Sequence, residues 1–306
     1  MSNVKPLVSV LIPVYNAAGF VKESVQSIIN QTYENLEIII INDGSTDNSL
    51  EIVNDFNDSR IIVINNKVNM RLIKTLNLGL DICKGKYIAR MDSDDISELQ
   101  RIEKQVNYLE THESCVACGS LVKYFSHDGK TKRFNFIAPE NDEKIRSKMY
   151  ISSPICHPAA MIRRCTIADN NLRFDENYPD AEDYHFWYVL SKFGKLHNIQ
   201  EILLNYRLSK SQITQLHNKT QQESSEKIRA LIFKEDCGYS AELVNLSKNQ
   251  VDELLTVATI KPEILIYFLK KQTKVSFLYL KLCYMSMKHI NFLNFAVVLK
   301  HTMRII

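Results

Sequence analysis

The sequence predicts an α/β protein built on a doubly wound, mostly parallel sheet, followed by a helical C-terminal extension. Three observations carry this expectation. Within about the first 95 residues, four short apolar runs alternate with three stretches of helical periodicity. The runs are near-continuously apolar, as strands buried on both faces are, rather than alternating. Polar residues gather where three of the runs end, at Tyr15-Asn16, Asn42-Asp43 and Asp92 to Asp95. Ligands bind beyond the carboxyl ends of the strands in such sheets, so three polar clusters on one edge point to a site.

The elements follow in order. Leu7-Val-Ser-Val-Leu-Ile-Pro-Val-Tyr15 reads as the first strand, and Pro13, which has no N–H for a ladder, should end it. Asn16 to Asn30 carries Phe20, Val21, Ser24, Val25 and Ile28 at helical spacing. Leu36 to Ile41 is a second strand, Ser49 to Phe56 a helix and Arg60 to Ile64 a third strand. Arg71 to Cys83 has an apolar stripe at Leu72, Ile73, Leu76 and Leu80, and Gly85 marks the turn before the fourth strand, Tyr87 to Met91. Beyond it the pattern predicts a helix over Ser97 to Glu110 and strands between Val116 and Phe136 with a turn at His127-Asp128-Gly129. A helix over Asp142 to Ser152, a strand over Ile155 to Arg163 and an acidic loop from Phe174 to Asp183 come next. Tyr184 to Phe193 reads as a helix and Ile199 to Arg207 as a strand, closing a first domain of residues 1–215; residues 216–306 read as helices.

Length and composition bound the function. The 306 residues suffice for one large domain or two, and 45% hydrophobic with 24% charged residues is ordinary for a soluble globular chain. From Lys261 onward eight basic residues face one acid, Glu263, so this tail is formally +7 and residues 1–260 are −4 in a chain of net +3. Basic amphipathic helices rich in aromatics can lie in an anionic membrane surface; a helical cap with solvated lysines is the alternative. No nucleic-acid-binding motif accompanies the basic residues, so nucleic acid is not an expected partner. Cys115 and Cys118 form a CxxC without a second pair, and they sit in an apolar run, which predicts buried strand thiols and a reducing, cytoplasmic compartment. The N-terminus lacks the pattern of a signal peptide, and no run approaches the ~18 apolar residues of a membrane-spanning helix.

The chemistry concentrates in Lys86-Tyr-Ile-Ala-Arg-Met-Asp-Ser-Asp-Asp95, an apolar strand that ends in three carboxylates. Like charges this close repel, so either a divalent cation neutralises them or they form a solvated acidic turn. With Val8-Ser-Val-Leu-Ile-Pro-Val-Tyr-Asn16 and Asn42-Asp-Gly-Ser-Thr-Asp47, the segment Met91-Asp-Ser-Asp-Asp95 resembles the motifs of family 2 glycosyltransferases, which have the GT-A fold. Ala181-Glu-Asp-Tyr-His-Phe-Trp187 and Tyr206-Arg-Leu-Ser209 extend the resemblance towards members that build bacterial lipopolysaccharide and O-antigen sugars, so that it covers roughly residues 7–215.

That resemblance implies a nucleotide-sugar site formed by Pro13, Tyr15, Asp43, Arg71, Asp92 and Asp94. Tyr15 would wall the base, Asp43 would accept from the uracil or ribose, and Asp94 with Asp92 would hold a Mn²⁺ or Mg²⁺ on the diphosphate. Asp95 is either a second ligand or the cap of the following helix. Asp183 is implied as general base, with Glu182, Trp187 and His157 towards the acceptor. The residues alone leave other roles open: Glu182 and Asp183 starting a helix, Trp187 in the core, His157 structural. Arg71 stands where many family members have a small residue, and it either reaches the diphosphate or narrows the donor site. The implied reaction is inverting transfer of a hexose from UDP-glucose, UDP-galactose or UDP-N-acetylgalactosamine. The implied acceptor is N-acetylglucosaminyl-diphospho-undecaprenol, joined through a β-1,3 linkage at the inner face of the cytoplasmic membrane. Transfer to a lipooligosaccharide core or capsule, or carbohydrate binding without catalysis, is the alternative. A dinucleotide-dependent oxidoreductase is disfavoured, since no GxGxxG follows the first strand.

Overall fold

A computed structural model describes residues 5–126, 131–136, 138–208 and 218–237. The first half alternates as its hydrophobic pattern requires: β1 (Val8–Val14), α1 (Val21–Ile29), β2 (Leu36–Asn42), α2 (Ser49–Asn54), β3 (Ile61–Asn65), α3 (Leu72–Ile82) and β4 (Tyr87–Arg90). Every residue of β1, β2 and β4 is buried, which explains the unbroken apolar runs. α1 covers one face of the sheet with Val21, Ser24, Val25 and Ile28, the stripe its spacing predicts.

The second half is mixed. It comprises β5 (Ile96–Ser97), α4 (Arg101–Thr111), β6 (Cys115–Ser126), β7 (Thr131–Phe136), α5 (Asp142–Met149), a 3-10 turn (His157–Ala159), β8 (Met161–Arg163), α6 (Arg164–Asp169), α7 (Glu182–Leu190), β9 (Lys195–Leu208) and α8 (Asn218–Cys237). The strands form one sheet in the order β3-β2-β1-β4-β8-β6-β9-β5, with β7 beside β6. β1, β2, β3 and β4 pair in parallel, and β6 runs parallel to β9, so most paired residues lie in parallel ladders. The pairs β4–β8, β6–β8, β6–β7 and β5–β9 are antiparallel. Cys115 and Cys118 are buried in β6, and burial pushes the Cys115 thiol up to about 11.

Two local expectations are corrected, and a third holds to within one residue. β1 ends one residue past Pro13, at Val14, with Pro13 level with Ile41 of β2. Val14 O accepts from Asp43 N on the β2 side, so Pro13 turns its nitrogen towards β4. The ladder with β4 ends at the bond from Met91 N to Leu11 O, and Pro13 has no N–H to continue it. The helix expected from Ser97 begins at Arg101, because Ile96 and Ser97 pair with Asn205 and Leu204 of β9. The strand expected over Ile155 to Arg163 is broken by the 3-10 turn at His157-Pro158-Ala159, leaving Met161–Arg163. Helix α6 was not expected from the sequence pattern.

The chain divides into two compact units, residues 1–145 with 153–224, and residues 146–152 with 225–306. The first holds the sheet. Within the second, Tyr150 hydroxyl bonds Asp236, and Arg229 donates to Ile151 O at 3.3 Å. No helix among the described residues is long and apolar enough to cross a membrane. The turn expected at 127–129 and the basic helices expected beyond residue 261 lie outside the described residues.

Candidate active site

β4 delivers the carboxylate loop to the carboxyl edge of the sheet. Met91 N bonds Leu11 O at 3.1 Å, extending the ladder by one residue, and Ser24 Oγ of α1 donates to Asp92 O at 3.0 Å. The strand then ends, and Asp92, Asp94 and Asp95 each present an oxygen within 4.8 Å of the others. Two residues before Asp92, on the same side of the strand, lies the buried Arg90, whose Nη2 meets Asp92 Oδ1 at 2.5 Å. Burial, then repulsion from Asp92, pushes the Asp94 carboxyl up to about 6; burial with Asp92 and Asp94 pushes Asp95 well above the usual range.

These residues fit a divalent cation. All three offer hard oxygen donors, burial and the neighbouring acids raise the Asp94 and Asp95 carboxyls, and Asp95 Oδ2 is buried with no hydrogen-bond partner among the described residues. Asp95 Oδ1 is already committed, accepting the Arg207 N–H at 2.8 Å. Asp95 precedes strand β5 rather than a helix, so its reading as a helix cap is replaced by this tie to β9.

Glu182 and Asp183 form the first turn of α7, where the positive end of the helix dipole favours acids. Asp183 accepts from Ser153 Oγ at 3.3 Å and from Tyr184 N at 2.7 Å. Burial still pushes its carboxyl up to about 6, against the lowering effect of these bonds and of Arg90. Glu182 is pushed further, to about 8, by burial and then by Asp183 beside it. Arg90 therefore pairs with Asp92 after β4 and acts electrostatically on the acids at the start of α7.

His157 is buried in its 3-10 turn with Nδ1 3.9 Å from Glu182 Oε1. Burial and then Arg90 hold its pKa well below the usual value, which favours the neutral ring. Trp187 is fully buried and meets the His157 ring edge-on, with centroids 5.7 Å apart. A platform under a sugar needs an accessible face, and in this structure the ring packs in the core, the alternative that its place on the helix left open.

The remaining expected residues lie along the same edge. Tyr15, just past β1, is half exposed, whereas Pro13 is buried within the strand. Asp43 follows β2, and its Oδ1 accepts from Asn66 Nδ2 at 2.8 Å and Met70 N at 2.9 Å, holding the segment between β3 and α3. Gly44 has φ +68, and a Cβ there would stand 2.6 Å from Asn69 N and from the Val68 carbonyl carbon. Arg71 caps α3 with φ 70 and ψ 158, a conformation that is nearly glycine's alone.

Sequence reasoning assigned no role to Arg90, Ser153 or Arg207, although Arg207 stands in the Tyr206-Arg-Leu-Ser209 motif. Arg90 had a legible signal, a charged residue inside a buried strand two positions before an acid. Ser153 and Arg207 come from remote segments and meet the acids only through the fold.

Comparison with known proteins identifies the family and the fold. Residues 9–171 match the model of glycosyl transferase family 2. An uncharacterized glycosyltransferase of Haemophilus influenzae is 41% identical over 233 residues, covering 73% of this chain and 72% of that protein. The UDP-Glc:alpha-D-GlcNAc-diphosphoundecaprenol beta-1,3-glucosyltransferase WfaP of Escherichia coli is 33% identical, over 66% of this chain and 77% of its own. Among solved structures, the mannosyltransferase PcManGT of Pyrobaculum calidifontis, in complex with GDP-Man and Mn²⁺, aligns with a TM-score of 0.60 at 13% identity, over 98% and 80% of the two chains. Staphylococcus aureus TarS 1-349 in complex with UDP-GlcNAc aligns at 0.58 and 17% identity, over 83% and 81%. These two likenesses concern the GT-A fold.

Proposed function

The chain belongs to glycosyl transferase family 2 and is a glycosyltransferase that uses a nucleotide sugar; from that premise we propose that it moves a hexose from a UDP-sugar to a lipid-linked sugar, with inversion. The observation that carries the proposal is two carboxylate sets under the influence of one buried guanidinium, Arg90, which pairs with Asp92 at the end of β4 and lowers the Asp183 carboxyl at the start of α7. One set suits the departing diphosphate and the other the incoming hydroxyl.

In the proposed reaction the acceptor hydroxyl oxygen bonds to the anomeric carbon as the bond from that carbon to the diphosphate oxygen breaks. The electron pair leaves with UDP. Asp183 takes the hydroxyl proton; a carboxyl near pKa 6 is charged at neutral pH yet basic enough to accept it. Ser153 and the Tyr184 N–H aim that carboxylate. Glu182, pushed to about 8, holds a proton at neutral pH and can donate a hydrogen bond to an acceptor oxygen. Asp92 and Asp94 would hold Mn²⁺ or Mg²⁺, which when bound supplies positive charge for the diphosphate. Tyr15 offers an exposed ring to the uracil, Asp43 an acceptor to the base or ribose, and Arg71 a cation beside the phosphates.

The Escherichia coli relative's name supports an undecaprenyl-diphosphate-linked N-acetylglucosamine acceptor and a β-1,3 linkage, and the resemblance of the motifs at 181–187 and 206–209 supports a role in lipopolysaccharide or O-antigen assembly. Such an acceptor sits at the inner face of the cytoplasmic membrane, where we propose the basic C-terminal residues attach. The substitution Asp183→Asn tests the base. It is expected to lower transfer about 10²- to 10⁴-fold, the usual worth of a general base, while UDP affinity is unchanged. Unaltered turnover would remove Asp183 from that role.

A further inference from the structure

One residue outside the carboxylate loop holds it through both its main chain and its side chain. Arg207, near the end of β9, is 5% exposed. Its main-chain N–H donates to Asp95 Oδ1 at 2.8 Å, and its guanidinium donates from Nε to Asp94 O at 2.7 Å and from Nη2 to Glu23 Oε2 of α1 at 2.5 Å. The guanidinium lies over the rings of Phe20, 5.0 Å away, and Phe125, 4.5 Å away. Three segments distant in sequence are thus joined at one group.

We propose that Arg207 is the positioning residue of the donor site, holding the Asp92 to Asp95 loop in its receiving form before donor arrives. The inference rests on the donor-site reading given above. Three carboxylates that repel one another cannot order their own loop, so the loop must be fixed through its main chain. Arg207 does this on the Asp94 carbonyl, and takes from Asp95 only one oxygen. Its bonds leave the Asp92 and Asp94 carboxylate oxygens to other partners. β5 continues the attachment, since Ile96 and Ser97 pair with β9 a few residues upstream of Arg207. Lysine could not substitute, because the task needs two N–H directions from one plane and flat faces against two rings. Glu23 anchors the far end of the fork, and its carboxylate is largely exposed, so it can be altered without disturbing the core.

The test uses the full chain, with UDP as probe. UDP affinity is measured by calorimetry with Mn²⁺ and with chelator in wild type, Arg207→Lys and Glu23→Gln. Amide exchange of the Met91 to Ser97 segment is followed in the metal-free proteins. The ratio of the two affinities is expected to fall about tenfold in Arg207→Lys and about threefold in Glu23→Gln, as loss of charge-assisted bonds implies. Exchange in Met91 to Ser97 should rise while exchange in β1 and β2 does not. General destabilisation would lower the folded fraction in both conditions and leave the ratio alone. A ratio preserved in Arg207→Lys, or a loop no faster to exchange, overturns the proposal. A wild type whose UDP affinity ignores Mn²⁺ removes the donor-site reading and this one with it.

Discussion

Glu182 and Asp183 are neighbours in one helical turn with different proton affinities, and the difference sets how the protein should respond to pH. Both carboxyls are raised above their ordinary values, chiefly by burial, Glu182 to about 8 and Asp183 to about 6. A carboxyl with a raised folded pKa favours the folded state while protonated. Its contribution is complete below the unfolded value near 4 and is lost as pH rises through the folded one. The thermal midpoint should therefore fall between about pH 5 and pH 9, and Glu182→Gln should flatten that fall. Catalysis has the opposite trend, since Asp183 must be ionised to take a proton. kcat/KM should rise tenfold per pH unit below about pH 6 and level off above it, if chemistry limits the rate. A profile flat from pH 5 to 8 would exclude Asp183 as the base. Sequence reasoning found both acids, because an acidic pair opening an aromatic-rich helix is visible in the chain. It could not find Ser153 or the burial that separates their roles, since both depend on segments about thirty residues away.

At the level of elements, the segment between β3 and α3 carries a conflict between local backbone and side chain. Arg71 adopts φ 70 and ψ 158 at the N-terminal cap of α3, with its N–H on Asn69 Oδ1 at 2.8 Å. A non-glycine residue there costs on the order of 1–3 kcal/mol. Arg71→Gly should therefore raise the thermal midpoint by several degrees. If the guanidinium serves the donor diphosphate, the same variant should weaken UDP binding; a gain in stability with no loss of affinity would confine Arg71 to a structural accident. The parallel strands and their helices were legible because burial on both faces writes continuous apolar runs, and α1, α2 and α3 write periodic stripes. Less legible were elements fixed by long-range partners. β5 exists only through its pairing with β9, and His157-Pro158 reads as strand until the tertiary packing turns it into a 3-10 segment. Trp187 illustrates the same limit: sequence gives its helix, whereas only packing shows its ring enclosed.

Across the whole molecule the charge is uneven, with formally +7 from Lys261 to the C-terminus against −4 before it. We propose that this basic stretch brings the enzyme to the anionic membrane that carries a lipid-linked acceptor, with about 1 kcal/mol of attraction per basic residue near the surface. The full-length protein should then sediment with vesicles containing phosphatidylglycerol and not with neutral ones, and should be released by salt as screening grows. Reversal of Lys270, Lys271 and Lys274 to Glu should weaken that binding at least tenfold, given a worth of about 1 kcal/mol per charge. Equal binding to neutral vesicles would contradict an electrostatic attachment. The central claim is transfer from a UDP-sugar at the Asp92–Asp94 and Asp183 centre. The most direct measurement is UDP release from a panel of UDP-hexoses, with a synthetic N-acetylglucosaminyl-diphospho-lipid present or absent, in Mn²⁺ and in chelator. Acceptor-stimulated release from one donor, abolished by chelator, is the predicted result. UDP that binds without release from any donor, or release indifferent to acceptor and metal, would contradict it.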